Sequence, residues 1–159
     1  MDCLVLVDIQ RENSEADGFY QMVDISNYLT QKFRDRECPV VSFVFDETET
    51  SPDIFPESLL PQNIVFVREF LDSSLDSPRF IKYLTDTYGS DEFNIYLCGY
   101  SLEGSVYRLA SQLISKNISC YIVNDAVIFD DENTGEEVLS TLADDGCFVI
   151  DSEVIEDMI

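Results

Sequence analysis

The chain has 159 residues, of which 45% are hydrophobic and 26% charged, a balance typical of one globular domain. Nine Lys and Arg stand against 32 Asp and Glu, which gives a formal net charge of −23 without any histidine. This acidity argues against binding to nucleic acid or to an anionic membrane and favours basic partners. No apolar stretch approaches the roughly 20 residues that span a bilayer. The opening MDCLVLVDIQ lacks the basic start of a signal peptide, so we expect a cytoplasmic protein.

Apolar runs alternate with segments of helical periodicity along the chain. Strands are predicted for residues 3–9, 39–45, 63–67, 94–98, 119–124 and 147–150. Helices are predicted for residues 19–36, 78–88 and 103–116, with another starting at Thr134 and a last turn capped by Ser152. Residues 46–62, rich in Pro, Ser, Thr and acidic side chains, predict a long loop. The pattern predicts a single domain over residues 1–159, a three-layer α/β/α sandwich with a parallel, doubly wound sheet of about six strands.

Polar side chains at the predicted strand ends mark a candidate site. Ligands of doubly wound sheets bind beyond the carboxyl ends of the strands, where the strand order reverses. The first strand is apolar on both faces and should be central, and Asp8 ends it. Arg68 follows the third strand, and the turn GYSLEGSV (99–106) follows the fourth. Ser105 supplies a hydroxyl in that turn, and Gly104 allows the close backbone approach that suits an anion at a helix start.

Cysteine and histidine usage narrows the possible chemistry. The five cysteines are odd in number, scattered and without a CxxC pair, which predicts buried, reduced thiols. The missing histidine removes the usual general base and the usual transition-metal ligand, so we expect no metal and no cofactor. The acidic run from Asp130 to Glu137 indicates a solvated face more than a calcium loop. Asp125 is expected to fix the loop after the fifth strand.

Five successive segments resemble the isochorismatase-like (cysteine hydrolase) superfamily and cover nearly the whole chain. They are CLVLVDIQREN, PVVSFVF, NIVFVREFLDSSLDSPRFIKYL, IYLCGYSLEGSVYRLASQLISKNISCYIVNDAV and GEEVLSTLADDGCFVIDSEVIEDM. The resemblance implies that Asp8 occupies the position of the catalytic Asp, Arg68 that of the Lys and Ser105 that of the Cys. It also implies a cis peptide between Tyr100 and Ser101, with the N–H groups of Ser101 and Ser105 as oxyanion hole. Substrate-binding positions would be Gln10, Tyr100, Ser101 and Gly104.

The two replaced residues change what such a site can do. A thiol near a helix start or a cation ionises at neutral pH, whereas a Ser hydroxyl needs a base beside it. Arg stays protonated and cannot shuttle protons as a desolvated Lys can. Asp8 with Arg68 therefore predicts an ion pair in place of an acid–base couple, and nucleophilic amide hydrolysis is disfavoured. Family members that bind metal use histidines, which this chain lacks, so a nicotinamidase activity is not expected.

Three functional hypotheses remain open at this point. The first is a non-catalytic or catalytically altered family member, a pseudoenzyme that acts through binding or assembly. The second is a hydrolase of isochorismatase type, in which Asp8 protonates a vinyl ether, Arg68 grips a carboxylate and no covalent nucleophile is needed. The third is an acidic decoy that occupies the nucleic-acid site of a basic protein partner. The resemblance also implies a homo-oligomer.

Overall fold

A computed structural model describes residues 1–10, 13–46, 64–69, 77–90 and 92–159. For residues 45, 46, 64–69 and 77 it describes the backbone alone. The predicted loop over residues 46–62 lies outside the described residues, except that Asp46 ends the second strand. None of the helices in the described ranges is long and apolar enough to cross a membrane.

Six strands form one parallel sheet with helices on both faces, as the sequence predicts. The strands are β1 (Asp2–Val7), β2 (Val40–Asp46), β3 (Ile64–Glu69), β4 (Asn94–Tyr100), β5 (Ser119–Ile128) and β6 (Phe148–Ile150). The helices are α1 (Phe19–Asp35), α2 (Ser77–Tyr88), α3 (Tyr107–Ser115) and α4 (Glu132–Asp144), with a π-helical turn at Leu102–Val106 and a 3₁₀ helix at Ser152–Asp157.

The sheet order is β3-β2-β1-β4-β5-β6, so β1 is central as predicted. It pairs in parallel with β2 on one side and with β4 on the other. The chain winds outward from β1 in both directions, and the order reverses between β1 and β4. The carboxyl ends of these two strands therefore form the edge at which a ligand is expected.

Two apolar clusters enclose the sheet, one on each face. The cluster under α1 includes Leu4, Leu6, Phe19, Phe33 and Tyr96, all at most 2% exposed. The cluster under α2, α3 and α4 includes Val5, Val7, Phe43, Phe80, Leu97 and Leu109, also at most 1% exposed. Successive residues of β1 enter opposite clusters, which explains why its run is continuously apolar. Because β1 is buried on both faces, it provides a fixed support for the candidate site at its carboxyl end.

The fifth strand is longer than the sequence predicts. We expected it to end near Asp125, because Asn124 and Asp125 interrupt the apolar run. The register between β4 and β5 shifts after Leu97, and pairing resumes at Val127 with Gly99 as its partner. The two polar residues lie at this irregularity, where they are exposed, so the polar interruption marks a bulge and not a strand end.

Three predicted helices differ from the structure in their starts or continuity. The helix over residues 103–116 divides into the π-helical turn and α3, because Gly104 has non-helical dihedrals of φ −106° and ψ −108°. Helix α4 starts at Glu132 and not at Thr134, since the Asp131 carboxylate accepts the Thr134 N–H at 2.9 Å and caps the helix. Ser152 does not cap the last helix with its side chain, because its hydroxyl donates to Asp125.

Candidate functional site

Asp8 lies just beyond β1 in a rigid turn. Its residue is 3% exposed and its backbone has a positive φ of 52°, a conformation that Asp tolerates better than most residues. Its N–H donates to the Phe43 carbonyl at 2.8 Å. Its carbonyl accepts the Gln10 N–H at 3.0 Å and the Asn13 Nδ2 at 2.8 Å. The neighbouring strand and the following turn therefore both fix the backbone from which this carboxylate projects.

Gln10 is completely buried two residues further on. Its carbonyl accepts the Asn13 N–H at 3.0 Å, which closes the same turn. The structure thus places Gln10 beside Asp8, and its predicted substrate-binding role remains a prediction.

Gly99 brings the end of β4 against the end of β1. Its φ is +128°, and a Cβ at this position would lie 2.0 Å from the Val7 carbonyl oxygen. Val7 is the register partner of Gly99 and precedes Asp8 directly. Only a residue without a side chain allows this approach, which sets the turn after β4 beside Asp8.

The turn that follows β4 has the predicted backbone. The peptide between Tyr100 and Ser101 is cis, at the position implied by the family resemblance. The Ser101 carbonyl accepts the N–H groups of Gly104 at 3.1 Å and of Val106 at 3.2 Å. Ser101 is 6% and Ser105 8% exposed, so both hydroxyls lie within the protein surface. A Cβ at Gly104 would lie 2.9 Å from the Ser101 Oγ, so a larger residue there would require this hydroxyl to shift.

Two acidic side chains tie this turn to the start of α4, and sequence reasoning missed both contacts. The Tyr100 hydroxyl donates to Asp130 at 2.5 Å, and the Asp131 N–H donates to Glu103 at 2.8 Å. The run from Asp130 was interpreted as a solvated acidic face because consecutive acids usually are. The only available signal was the N-cap pattern Asp-x-x-Thr from Asp131 to Thr134, which locates the helix start beside the turn.

The electrostatics of the turn are strongly negative. The hydrogen bond to Asp130, burial, and the charges of Asp130, Glu103 and Asp8 together raise the pKa of Tyr100 to about 12. The hydrogen bonds from Thr134 lower the pKa of Asp131. A cleft of about 500 Å³ lies alongside, between the start of α1 and the end of β5, and its lining includes the carboxylates of Asp17, Asp125, Asp130 and Glu132.

Titration of Tyr100 tests this arrangement. The phenol should ionise at about pH 12, against 10.0 for an unperturbed tyrosine, and Asp130→Asn should lower the pKa because the carboxylate acceptor is lost. The raised pKa means that the hydrogen bond stabilises the fold below about pH 10 and that this stabilisation disappears as the pH rises through 12. The difference in tyrosinate absorbance between wild type and Tyr100→Phe isolates this phenol. An unchanged pKa in Asp130→Asn would contradict the assigned cause.

The sequence predicts that Asp125 fixes the loop after β5, but the structure places it in the bulge within β5, where it holds the 3₁₀ helix that follows β6. Its carboxylate accepts the Ser152 N–H at 2.8 Å and the Ser152 hydroxyl at 2.5 Å. These bonds attach the 3₁₀ helix to β5. Asp125 is thus engaged in structure on the far side of β4 from Asp8.

The structure describes only the backbone of Arg68, the third member of the predicted triad. Its backbone pairs with Phe45 near the carboxyl end of β3, two strands from β1. Its side chain is not among the described ones, so the predicted ion pair with Asp8 stays a prediction.

All five cysteines are described, and none belongs to the strand-end turn. Cys3, Cys98, Cys120 and Cys147 are buried in the two clusters, and Cys38 is half-buried. Cys98 lies two residues before Tyr100 but belongs to the cluster beneath α1. Burial, followed by the charge of Asp125, raises its thiol pKa far above the usual range. No thiol can therefore take the place of Ser105.

Thiol labelling checks this distribution. In native protein iodoacetamide should modify Cys38 alone, and slowly, because burial and the Asp2 charge raise the Cys38 pKa. The four buried thiols should react at least about a hundredfold more slowly, since they are exposed only by opening of the fold. Cys38→Ser should abolish native labelling while unfolded protein still takes four labels. Fast native labelling at Cys98 would contradict the structure.

A parallel six-stranded sheet with an aspartate and a cis-peptide turn at its reversal point defines an isochorismatase-like α/β protein. The model of the Isochorismatase domain matches residues 2–154, and the chain belongs to this family. A search of curated protein sequences found no significant match.

Solved structures with the same fold include hydrolases from several organisms. A Pyrococcus horikoshii pyrazinamidase in complex with zinc is 16% identical, with a TM-score of 0.82 over 94% of this chain and 98% of that one. An isochorismatase-like hydrolase from Alkaliphilus metalliredigens is 17% identical, with a TM-score of 0.78 over 99% and 98%. The Escherichia coli YcaC gene product, described as an octameric hydrolase of unknown specificity, is 20% identical, with a TM-score of 0.78 over 98% and 77%.

Within the described residues no three His, Cys, Asp or Glu side chains converge in a way that holds a metal ion. The acidic residues near the turn are used differently. Asp130 accepts from a phenol, Asp131 caps α4, and Glu103 accepts from the backbone of Asp131.

Proposed function

We propose that this chain is a non-catalytic member of the isochorismatase family that acts through binding. One observation carries the proposal: position 105 offers a hydroxyl where the family resemblance implies a thiol, and all five thiols lie elsewhere. The chain has no histidine to activate that hydroxyl. Of the three catalytic positions that the resemblance implies, only the Asp position, Asp8, holds the residue type of the family. Arg68 stands where the resemblance implies a proton-transferring Lys.

The electrostatics of the turn weigh against the second hypothesis, hydrolysis of an isochorismate-type vinyl ether. Such a substrate is a dicarboxylate, so its charges would meet Asp8, Glu103 and Asp130 near the same strand ends. Like charges at short range oppose binding unless cations compensate them. In this hypothesis Arg68 would have to grip the substrate against these charges.

Turnover assays separate a non-catalytic chain from a vinyl-ether hydrolase and from a serine hydrolase. Wild type, Ser105→Ala and Asp8→Asn are incubated with isochorismate, nicotinamide and pyrazinamide, and products are quantified by mass spectrometry. We expect no turnover by wild type above the level of Asp8→Asn. Turnover that Asp8→Asn loses and Ser105→Ala retains would establish the vinyl-ether hydrolase. Turnover that both variants lose would establish a serine nucleophile and overturn the proposal.

The family resemblance also supports assembly of this chain with itself. YcaC, which shares the fold, is described as octameric. We propose a homo-oligomer here as well, and light scattering gives its mass directly. A monomer at all concentrations would contradict this part of the proposal.

A further inference from the structure

The last quarter of the chain carries charged side chains of negative sign only and includes an open edge of the sheet. From Asn117 to Ile159 the chain carries twelve acidic residues and no Lys or Arg. This segment forms β5, α4, β6 and the 3₁₀ helix. Elsewhere in the chain nine cations interrupt the acids. The negative potential is therefore concentrated at one end of the sheet.

Strand β6 ends the sheet on this side. It pairs with β5, and in the described part of the chain no strand covers its other edge. Its three residues leave unpaired main-chain groups facing outward, a template for one more strand. Phe148 is 53% and Val149 37% exposed, although both are large apolar residues. Natural edges are commonly blunted by Lys or Pro, and β6 has neither.

An aromatic stack leads out to this edge. Tyr96 stacks on Tyr121 with ring centroids 4.7 Å apart, and Tyr121 stacks on Phe148 at 4.9 Å. Tyr96 is buried under α1, whereas the outer side of Phe148 is exposed. The next position in the stack is on the strand that would pair with β6. The aliphatic stem and cationic head of a Lys or Arg suit a half-exposed aromatic face.

Exposed carboxylates flank β6 at both ends. Asp144 and Asp145 precede it and Asp151 and Glu153 follow it, and all four are exposed. Asp144 and Asp145 also stand at the carboxyl end of α4, whose last turn has no basic residue. The helix dipole adds negative potential at that end, which is unfavourable for these two carboxylates. Cations supplied by a partner protein would stabilise them.

We propose that the β6 edge surface, formed by Asp144, Asp145, Phe148, Val149, Asp151 and Glu153, binds an extended, Lys- or Arg-rich segment of a partner protein as an added strand. Main-chain pairing with β6 aligns the segment, and its basic side chains meet the flanking carboxylates. A second copy of this chain is disfavoured here, because two such surfaces would oppose four carboxylates to four.

The β6 edge surface lies along the edge strand β6, two strands beyond β4, whereas Asp8 and Ser105 follow β1 and β4. A catalytically active chain would present the same surface. The proposal therefore does not depend on the absence of catalysis, and the turnover assays and the following experiment succeed or fail separately.

Binding is measured by fluorescence anisotropy with a labelled synthetic peptide of alternating lysine and valine. Asp144→Lys with Asp145→Lys is compared with Glu15→Lys and Asp24→Lys, a pair of exposed acids near the start of α1 that gives the same change in net charge. Loss of two local ion pairs should weaken binding about tenfold in the first double variant, and by less than about threefold in the control. Phe148→Ser should weaken binding with the net charge unchanged.

A second peptide tests the strand pairing. The same sequence with alternate backbone amides N-methylated keeps its charge but cannot add to a sheet edge, and it should bind about tenfold more weakly. Equal binding of both peptides, or equal weakening by the two double variants, would overturn the proposal in favour of unspecific attraction. An oligomer of wild type that Phe148→Ser dissociates would assign the surface to a second copy and also overturn it.

Discussion

Gly99→Ala should lower the free energy of unfolding by about 4 kcal/mol or more, a loss that few single substitutions reach. The new Cβ would lie 2.0 Å from the Val7 carbonyl oxygen and 2.8 Å from the Val7 nitrogen. Both atoms are backbone of the central strand, so no side-chain rotation relieves the overlap. Either β1 and β4 separate at their carboxyl ends or the variant does not fold. Urea unfolding followed by circular dichroism measures the difference.

Gly146→Ala is the matched control for this prediction. Gly146 also has a positive φ, +106°, but no atom lies within 4 Å of its added Cβ. The free energy of unfolding of Gly146→Ala should therefore fall by only about 1 kcal/mol, the cost of placing a side chain on a residue with positive φ. Similar losses in the two variants would show that φ alone matters and that β1 and β4 are not held at this distance.

Phe80→Ala should lower the free energy of unfolding by about 3–5 kcal/mol, because it empties a site in the core. Phe80 is fully buried on α2 and makes an edge-to-face contact with Phe43 on β2, with ring centroids 5.4 Å apart. Phe148→Ala removes the same atoms from a ring that is 53% exposed and should cost less than about 1 kcal/mol. The measurement is again urea unfolding, and equal losses would contradict the burial of α2 against the sheet. A small loss of stability at Phe148 would also show that Phe148→Ser changes the β6 edge surface without unfolding the protein.

The position of the site was predictable because hydrophobic burial leaves a plain pattern in β1. From Cys3 to Val7 its residues alternate between two apolar clusters, so this run is apolar throughout, and the charged residue that follows it, Asp8, marks the strand end. The same reasoning places the turn after β4 at the switch point. The resemblance to the family then located the cis peptide at Tyr100 and Ser101, which no property of the two residues alone indicates.

The local errors have a common physical cause. Residue preferences describe a residue against its neighbours in sequence, whereas Glu103, Asp130 and Asp131 are determined by contacts across the fold. A carboxylate in an acidic run has no signal that distinguishes solvation from a bond to a distant phenol. The predicted end of β5 was wrong for the same reason. The polar residues Asn124 and Asp125 indicate a loop, but they occupy a bulge within a longer strand.

We propose different roles for the carboxyl ends of the strands and for the far edge of the sheet. At the carboxyl ends, Asp8 lies beside a cis-peptide turn that carries Ser105, and all five thiols lie elsewhere. At the far edge, β6 is open, aromatic and surrounded by acids. A chain of net charge −23 has more to gain from cations on a partner than from an anionic substrate.

The most direct test of the central claim is the intact mass of native protein after incubation with acyl-donor probes, such as activated esters and amides. A Ser hydroxyl becomes a nucleophile only with a base of suitable proton affinity in hydrogen-bond reach, and the chain has no histidine to supply one. We predict no adduct on Ser105, the same mass for Ser105→Ala, and little gained activity in Ser105→Cys while Arg68 remains. A stoichiometric adduct on Ser105 in native protein, absent from Ser105→Ala, would contradict the account and make this chain a serine hydrolase.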